Sequence, residues 1–383
     1  MRVGIDARWI FPEITGIGSY TQELIRHIAE VDREHEYVLF FQHESVRERT
    51  LAFAGITEQN SRFSTQLVPY GPFSPVSQLV MRRILRRARL DLYHSTNFMF
   101  PLAAFPAQRI GRMICVVTIH DLIPLLFPEH TPKALKSRFH GVYKRVMKEV
   151  GRRADGIITV SESSRRDIIE HMAIPPNRAD RVVAIHEAAA ANYSPGATPQ
   201  NDPRIILYVG RMDPYKNVVG LVDSFARLLR TGDVRARLRI IGPRDARYPQ
   251  VEERIAAHQI ESHIDWPGYV SGDELLAAYQ QADVFVLPSY YEGFGLPVLE
   301  AMACGTPVIC SNRASLPEVA GDAALIVDPD QPDALVAALR DVLTDRDTAQ
   351  TLRVKGLHRA AQFSWQRTAR ETIACYERLH ALR

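Results

Sequence analysis

Glu292 and Glu300 stand eight positions apart in the stretch Glu292-Gly293-Phe294-Gly295-Leu296-Pro297-Val298-Leu299-Glu300. Just upstream, Asp283-Val284-Phe285-Val286-Leu287-Pro288 reads as a short buried strand, and the residues through Ala303 read as a helix. A strand therefore ends, a glycine-rich turn bares its backbone, and a helix begins. The first amide N–H groups of a helix have no partner inside it and attract anions. Glu300 falls about one turn into the helix and Glu292 on its approach. Carboxylates flanking such a backbone cradle suit a polyhydroxylated, phosphorylated ligand.

A second constellation has the same local form. Tyr208-Val209-Gly210-Arg211-Met212-Asp213-Pro214-Tyr215-Lys216-Asn217 follows one strand and precedes a helix. Arg211 offers a planar fork of donors and Lys216 a compact charge, and together they could neutralise a diphosphate without a metal ion. Breaking a sugar–phosphate bond builds negative charge on the leaving oxygen, which fixed cations and N–H dipoles stabilise. Taken alone, the Arg–Lys spacing also fits a surface pair beside a turn. Its matching place relative to the acidic motif favours the anion clamp. Asp328-Pro329-Asp330 resembles a metal-binding pair of acids but reads as a strand-to-helix loop.

These groups need a rigid frame. The 383 residues are 46% hydrophobic and 24% charged, enough for two domains that each bury a core. The net charge of +3 does not argue for nucleic acid. Cys115, Cys304, Cys310 and Cys375 match neither a zinc site nor a secreted disulfide scaffold, which points to a reducing cytosol. No apolar run approaches the roughly 20 residues of a membrane span, and the start reads as a strand rather than a signal peptide.

Strand and helix signals alternate through both halves. Strands are expected at Val3–Asp6, Glu36–Phe41, Leu90–His94, Ile114–His120, Ala154–Ser161 and Val182–His186. After a Pro- and Ala-rich break they resume at Ile205–Val209, Leu238–Ile241, Ile264–Val270, Val284–Leu287, Val308–Cys310 and Ala324–Val327. Such alternation implies parallel sheets with helices on both faces. The expected organisation is an N-terminal Rossmann-like domain over 1–187, a linker over 188–203, a second Rossmann-like domain over 204–364 and a terminal helix over 365–383. Two doubly wound α/β domains would face each other across a ligand-binding cleft.

Gly210-Arg211-x4-Lys216 with Glu292-x7-Glu300 resembles the retaining nucleotide-sugar glycosyltransferases of family four, which have the GT-B fold. The resemblance runs over essentially the whole chain and includes Gly4-Ile5-Asp6-Ala7-Arg8, the loop Thr15-Gly16-Ile17-Gly18 and His120-Asp121. It implies that Glu300 accepts from the nucleotide ribose and Glu292 contacts donor-sugar hydroxyls. The amides of Phe294, Gly295 and Leu296 would hold sugar and phosphates, with Arg211 and Lys216 as the diphosphate clamp. Gly16 and Gly18 would form a mobile loop that meets the phosphate, and His120 would lie near the transferred sugar. Tyr269 and Val270 fall where the base would bind. Ser161 ends a strand facing the expected cleft, although a serine in that place is more often a helix cap. The terminal helix, about Trp365–Leu382, resembles the element that crosses back onto the first domain. The implied reaction proceeds with retention, without cofactor or metal, by a front-side path in which Glu292 and His120 position and stabilise.

The whole-length look is closest to bacterial mannosyl- and deoxyhexosyltransferases of surface polysaccharide assembly, which favours a GDP-linked donor. For the acceptor, residues 79–89 form an amphipathic, arginine-rich helix that could meet anionic headgroups or an acceptor diphosphate. Basic residues over 133–153 add to it. A lipid-diphosphate-linked oligosaccharide at the inner face of the cytoplasmic membrane is the expected acceptor. A solvated basic face is the plainer reading of the same helix. A UDP-sugar-dependent transferase, a nucleotide-sugar epimerase of the same fold and a silent nucleotide-sugar-binding subunit are the alternatives. A nicotinamide dehydrogenase is disfavoured, because no G-x-G-x-x-G follows the first strand.

Overall fold

The computed structural model describes residues 1–13, 15–57, 59–106, 113–130 and 140–382. The first seven residues of the basic stretch 133–153 lie outside the described residues. The chain divides into two compact units, one of Met1–Leu122, Gly141–Glu187 and Ser364–Arg383, the other of Ile123–His140 and Ala188–Phe363.

In the first unit the order is β1 (Arg2–Asp6), α1 (Gly16–Val31), β2 (Glu36–Phe41), α2 (Glu44–Phe53), β3 (Phe63–Leu67), α3 (Pro75–Ala88), β4 (Leu92–Ser95) and β5 (Ile114–Ile119). A short α4 (Ile123–Leu126) belongs to the second unit. The first unit resumes with α5 (His140–Arg153), β6 (Gly156–Thr159), α6 (Glu162–His171) and β7 (Val182–Ala184). Its strands form one parallel sheet in the order β3-β2-β1-β4-β5-β6-β7. Every residue of β5 is buried, as an apolar strand covered by helices on both faces must be. The unread strand β3 is the edge, and its Phe-Ser-Thr-Gln-Leu sequence is half exposed and too polar to announce itself. The order of the strands reverses between β1 and β4, and residues following strand ends there are the natural ligand contacts of this topology.

The second unit runs β8 (Arg204–Val209), α7 (Val218–Thr231), β9 (Ala236–Ile241), α8 (Gln250–His258), β10 (Ile264–Gly268), α9 (Gly272–Gln281), β11 (Val284–Leu287), α10 (Leu296–Ala303), β12 (Val308–Ser311), α11 (Leu316–Ala320), β13 (Leu325–Val327), α12 (Pro332–Thr344) and α13 (Arg346–Ala360). Its parallel sheet has the order β10-β9-β8-β11-β12-β13, so the reversal falls between β8 and β11. Residues 188–203, expected as a linker, lie against this unit. Arg353 donates to the Gly196 carbonyl at 2.5 Å and Gln280 to the Ser194 carbonyl at 2.8 Å.

The last helix, α14 (Trp365–Ala381), belongs to the first unit and packs along α1. Trp365 meets Tyr20 edge-on with ring centroids 5.8 Å apart, and Thr368 Oγ1 donates to the His186 carbonyl at 2.6 Å. The Tyr376 hydroxyl sits 2.6 Å from Nδ1 of buried His94, whose Nε2 is 2.8 Å from Thr118 Oγ1. Burial, reinforced by the neighbouring His120, pushes His94 down to about 3, so it stays neutral.

A buried ion pair braces the start of the first sheet. Arg8, 1% exposed, forks onto both carboxylate oxygens of Asp6 at 2.7 Å. The Tyr93 hydroxyl donates to Asp6 Oδ2 at 2.5 Å, and Arg8 Nη1 reaches Ser77 Oγ at 2.7 Å on α3. Removing one partner strands the other charge in a dry interior. Arg8→Met is expected to cost about 3–5 kcal/mol of stability, read from denaturant unfolding of the first unit. The paired change Asp6→Asn with Arg8→Met should recover part of that loss, and equal losses in both variants would count against the pair.

Candidate active site

In the second unit the two motifs follow adjacent central strands. Lys216 comes after β8, in a single 3-10 turn (Pro214–Lys216) that leads through left-handed Asn217 into α7. Glu292 comes after β11, in the loop before α10. The Tyr290 N–H donates to the Tyr215 carbonyl at 2.8 Å and ties the two loops together. Lys216 Nζ donates to both carboxylate oxygens of Glu292, at 2.7 and 2.8 Å. Burial works against the Lys216 ammonium, but the Glu292 charge and its hydrogen bonds prevail, and the lysine titrates above its ordinary value.

Three serines, none with a motif of its own in the sequence, hold the acidic loop. Ser289 Oγ donates to Glu292 Oε1 at 2.6 Å. Ser315 Oγ meets the carbonyls of Glu292 and Phe294 at 2.9 and 2.7 Å, and Ser311 Oγ donates to the Ser289 carbonyl at 2.5 Å. Gly295 then starts α10 with φ of 103°, and a Cβ there would lie 2.7 Å from Leu316 Cδ2, so only glycine fits. No side chain caps α10 or α7. Leu296 opens α10 directly after Gly295, and Phe294 stands just before it in the loop that Ser315 gathers.

Arg211 shares Tyr215 with Lys216. Its Nη2 donates to the Tyr215 hydroxyl at 3.3 Å and its Nε is 3.0 Å from Asp213 Oδ2, while Lys216 Nζ lies 5.3 Å from the centre of the same ring. The Arg211 side chain remains largely exposed. A small apolar cluster of Ile123, Tyr215 and Tyr291, with Phe127 against it, backs the two loops and draws α4 into this unit. Glu300 is held by other residues. The Tyr279 hydroxyl donates to its Oε2 at 2.8 Å, and Tyr193 hydrogen-bonds to the same carboxylate. Burial and the Glu300 charge both raise these tyrosines, which stay protonated as donors. Nothing in the spacing of Tyr193 and Tyr279 signalled this role.

Tyr269 follows β10 and is exposed, with half-buried Val270 beside it. The acids of Asp328-Pro329-Asp330 are paired with one guanidinium, Arg313 Nη2 lying 2.9 Å from Asp328 and 2.6 Å from Asp330.

The first unit carries its own cluster at the carboxyl ends of β4, β5 and β7. His120 Nε2 lies 3.1 Å from the Thr96 carbonyl and Nδ1 3.3 Å from Glu187 Oε1, with the Tyr20 ring edge-on at 4.7 Å. Glu187 lies beyond the end of β7, past Ile185 and His186, and no expectation fell on it. Gly16 and Gly18, expected in a loop, stand in the first turn of α1. The Thr15 side chain caps the helix by accepting from the Gly18 N–H at 3.3 Å, which moves its start back from Ser19. A Cβ at Gly16 would meet nothing within 4 Å and one at Gly18 only ordinary contacts, so local packing does not require either glycine. Ser161 is a helix cap, accepting from the Ser164 N–H at 3.0 Å.

Parallel sheets with charged loops at the strand-order reversal define a class of α/β enzymes that bind phosphorylated ligands at strand ends. Residues 14–187 match the family described as "Glycosyltransferase Family 4", and residues 192–359 that described as "Glycosyl transferases group 1". The chain is 33% identical over 384 residues to the O-antigen chain mannosyltransferase B of Escherichia coli, covering 96% of this chain and 97% of that protein. It is 30% identical over 302 residues to the serotype-specific mannosyltransferase WbdA of Escherichia coli, 75% of this chain but 36% of that protein. Sucrose-phosphate synthase from Thermosynechococcus elongatus shares the fold, with a TM-score of 0.77 at 21% identity over 100% of both chains. The protein belongs to the family-four glycosyltransferases of GT-B fold and is a sugar-transferring enzyme.

The raised lysine gives the ion pair a pH signature. Its stabilisation is fully present below the unfolded-state lysine value and fades as pH rises through the higher folded value. Glu292→Gln is expected to cost about 3 kcal/mol near pH 8. The gap to the parent protein should close at strongly alkaline pH, as followed by denaturant unfolding. A gap independent of pH would contradict the pairing.

Proposed function

We propose that the enzyme transfers mannose from a GDP-linked donor, with retention of configuration and without a metal ion, to a lipid-diphosphate-linked glycan of the bacterial surface. The observation that carries this reading is the full-length similarity to an O-antigen chain mannosyltransferase, joined to the Lys216–Glu292 pair at the strand-order reversal.

In this reading Arg211 and Lys216 meet the donor diphosphate, aided by the first turn of α10 and by Gly16 and Gly18 in the first turn of α1. Glu300, oriented by Tyr279 and Tyr193, accepts from ribose hydroxyls, and Tyr269 and Val270 meet the base. Glu292 orients the sugar and keeps the Lys216 ammonium charged. His120, held by Thr96 and Glu187, positions the transferred sugar. The bond from the anomeric carbon to the phosphate oxygen breaks, and its electron pair stays on the phosphate, where the two cations stabilise it. The acceptor hydroxyl attacks from the same face, and its proton passes to the departing phosphate oxygen. No enzyme nucleophile is required.

Thermal shift against a panel of nucleoside diphosphates tests the donor. GDP and GDP-mannose are expected to raise the melting temperature more than the UDP counterparts, since only the folded state binds. Lys216→Ala should weaken GDP binding by about tenfold or more while leaving guanosine binding nearly unchanged, because in this reading the ammonium meets the diphosphate and not the nucleoside. Selective response to UDP would redirect the donor assignment, and equal losses for GDP and guanosine would remove the clamp.

The lipid acceptor draws support from α3. Met81 and Leu85 are buried beneath it, whereas Phe73, Val76 and Leu79 are exposed, Leu79 at 73%. Arg82, Arg83, Arg86 and Arg87 are exposed on the same helix. Apolar tips with flanking guanidiniums suit peripheral contact with an anionic leaflet. Replacing the four arginines by Gln is expected to abolish binding to phosphatidylglycerol vesicles and depress turnover of a lipid-linked acceptor. Turnover of a short water-soluble mannoside should be spared. Unchanged vesicle binding and lipid-acceptor turnover would refute the membrane contact.

A further inference from the structure

At the amino ends of the strands of the first sheet, just before β2, His35 is 5% exposed in the turn that follows α1. Its Nδ1 lies 3.3 and 3.1 Å from the two carboxylate oxygens of Asp32. Asp32 is itself fixed, because it also accepts from the Glu34 N–H at 2.8 Å and from the Tyr37 hydroxyl. An acceptor carboxylate at Nδ1 places the ring hydrogen there and leaves the lone pair on Nε2. That nitrogen makes no hydrogen bond among the described residues. Its nearest partner is Glu377 Oε1 on α14, 3.7 Å away.

Two exposed carboxylates, Glu34 and Glu377, lie beside the ring. One ligand atom each from Glu34, His35 and Glu377 lies within 4.8 Å of the other two. Among the described residues neither glutamate is paired with a lysine or arginine. A cation seated between the two carboxylates and this nitrogen would neutralise both charges at once. Donors about 2.0–2.2 Å from a tetrahedral Zn2+ stand roughly 3.4 Å apart, a spacing the exposed glutamates reach by small rotamer changes.

We propose that Glu34, His35 and Glu377 form a binding site for a first-row divalent cation of the Zn2+ class, which staples the terminal helix α14 to the turn after α1. Asp32 supplies the carboxylate behind the ligating histidine that such sites use to fix ring orientation. Imidazole with carboxylates selects this class over Ca2+ or Mg2+, which take oxygen ligands alone. Water completes the coordination on the exposed side. The ion is structural: it sits at the amino ends of the strands, whereas Thr96, His120 and Glu187 lie at the carboxyl ends. It is independent of the donor chemistry proposed above.

The test uses the full chain after chelator treatment. Calorimetric titration with Zn2+ is expected to show one site of micromolar affinity or tighter, with a rise in melting temperature. Calcium should produce neither. The double variant Glu34→Gln with Glu377→Gln changes only exposed side chains; it should fold and lose at least tenfold in Zn2+ affinity together with the thermal shift. Co2+ added to the unaltered protein should give visible absorption bands of a low-coordinate nitrogen–oxygen site, a readout that does not depend on the variant folding. Absence of Zn2+ binding, or equal affinity in the double variant, overturns the site. Co2+ bands matching the hydrated ion overturn it as well.

Discussion

The second unit is organised around one buried charge pair. Lys216 and Glu292 are both withdrawn from water, and each is tolerable there only because the other is present. They sit on loops that follow β8 and β11, the adjacent strands at which the sheet reverses its order. The parallel topology brings the two loops together, and the ion pair with the Tyr290–Tyr215 backbone bond fixes their register. The same lysine that faces the proposed diphosphate is thereby kept charged and aimed before any ligand arrives.

Hydroxyl groups do most of the remaining positioning. Ser289 orients the Glu292 carboxylate, Ser315 gathers two carbonyls of the glycine-rich loop, and Ser311 anchors Ser289 from β12. Tyr279 and Tyr193 do the same for Glu300. Each carboxylate keeps further acceptor capacity while its rotamer is set by neighbours, which is the condition for binding sugar hydroxyls without reorganisation. In the first unit, Thr96 and Glu187 hold His120 by both ring nitrogens.

Much of this frame could be read along the chain. The buried strands are continuous apolar runs bounded by turn residues, and all the expected ones are present, because a strand covered on both faces leaves that signature. The edge strand β3 escaped notice because its half-exposed position permits Ser64, Thr65 and Gln66. Helix α1 starts before the expected Ser19 because the Thr15 cap makes two glycines helical. The stretch 188–203 looked like a tether by composition, yet Arg353 and Gln280 hold its carbonyls on the second unit.

Sequence alone determined the residue types and their local setting: a strand, a turn with glycine at Gly295, a helix, and acids or bases at fixed offsets. Those follow from short-range sterics and periodicity, which are written in consecutive residues. Tertiary structure decided the partnerships. That Lys216 grips Glu292, that Tyr193 and Tyr279 hold Glu300, and that Asp32 turns His35 toward Glu377 depend on which strands lie side by side and which helix returns at the chain's end. Contacts between residues tens to hundreds of positions apart are fixed by the packing of whole elements, and no local pattern encodes them.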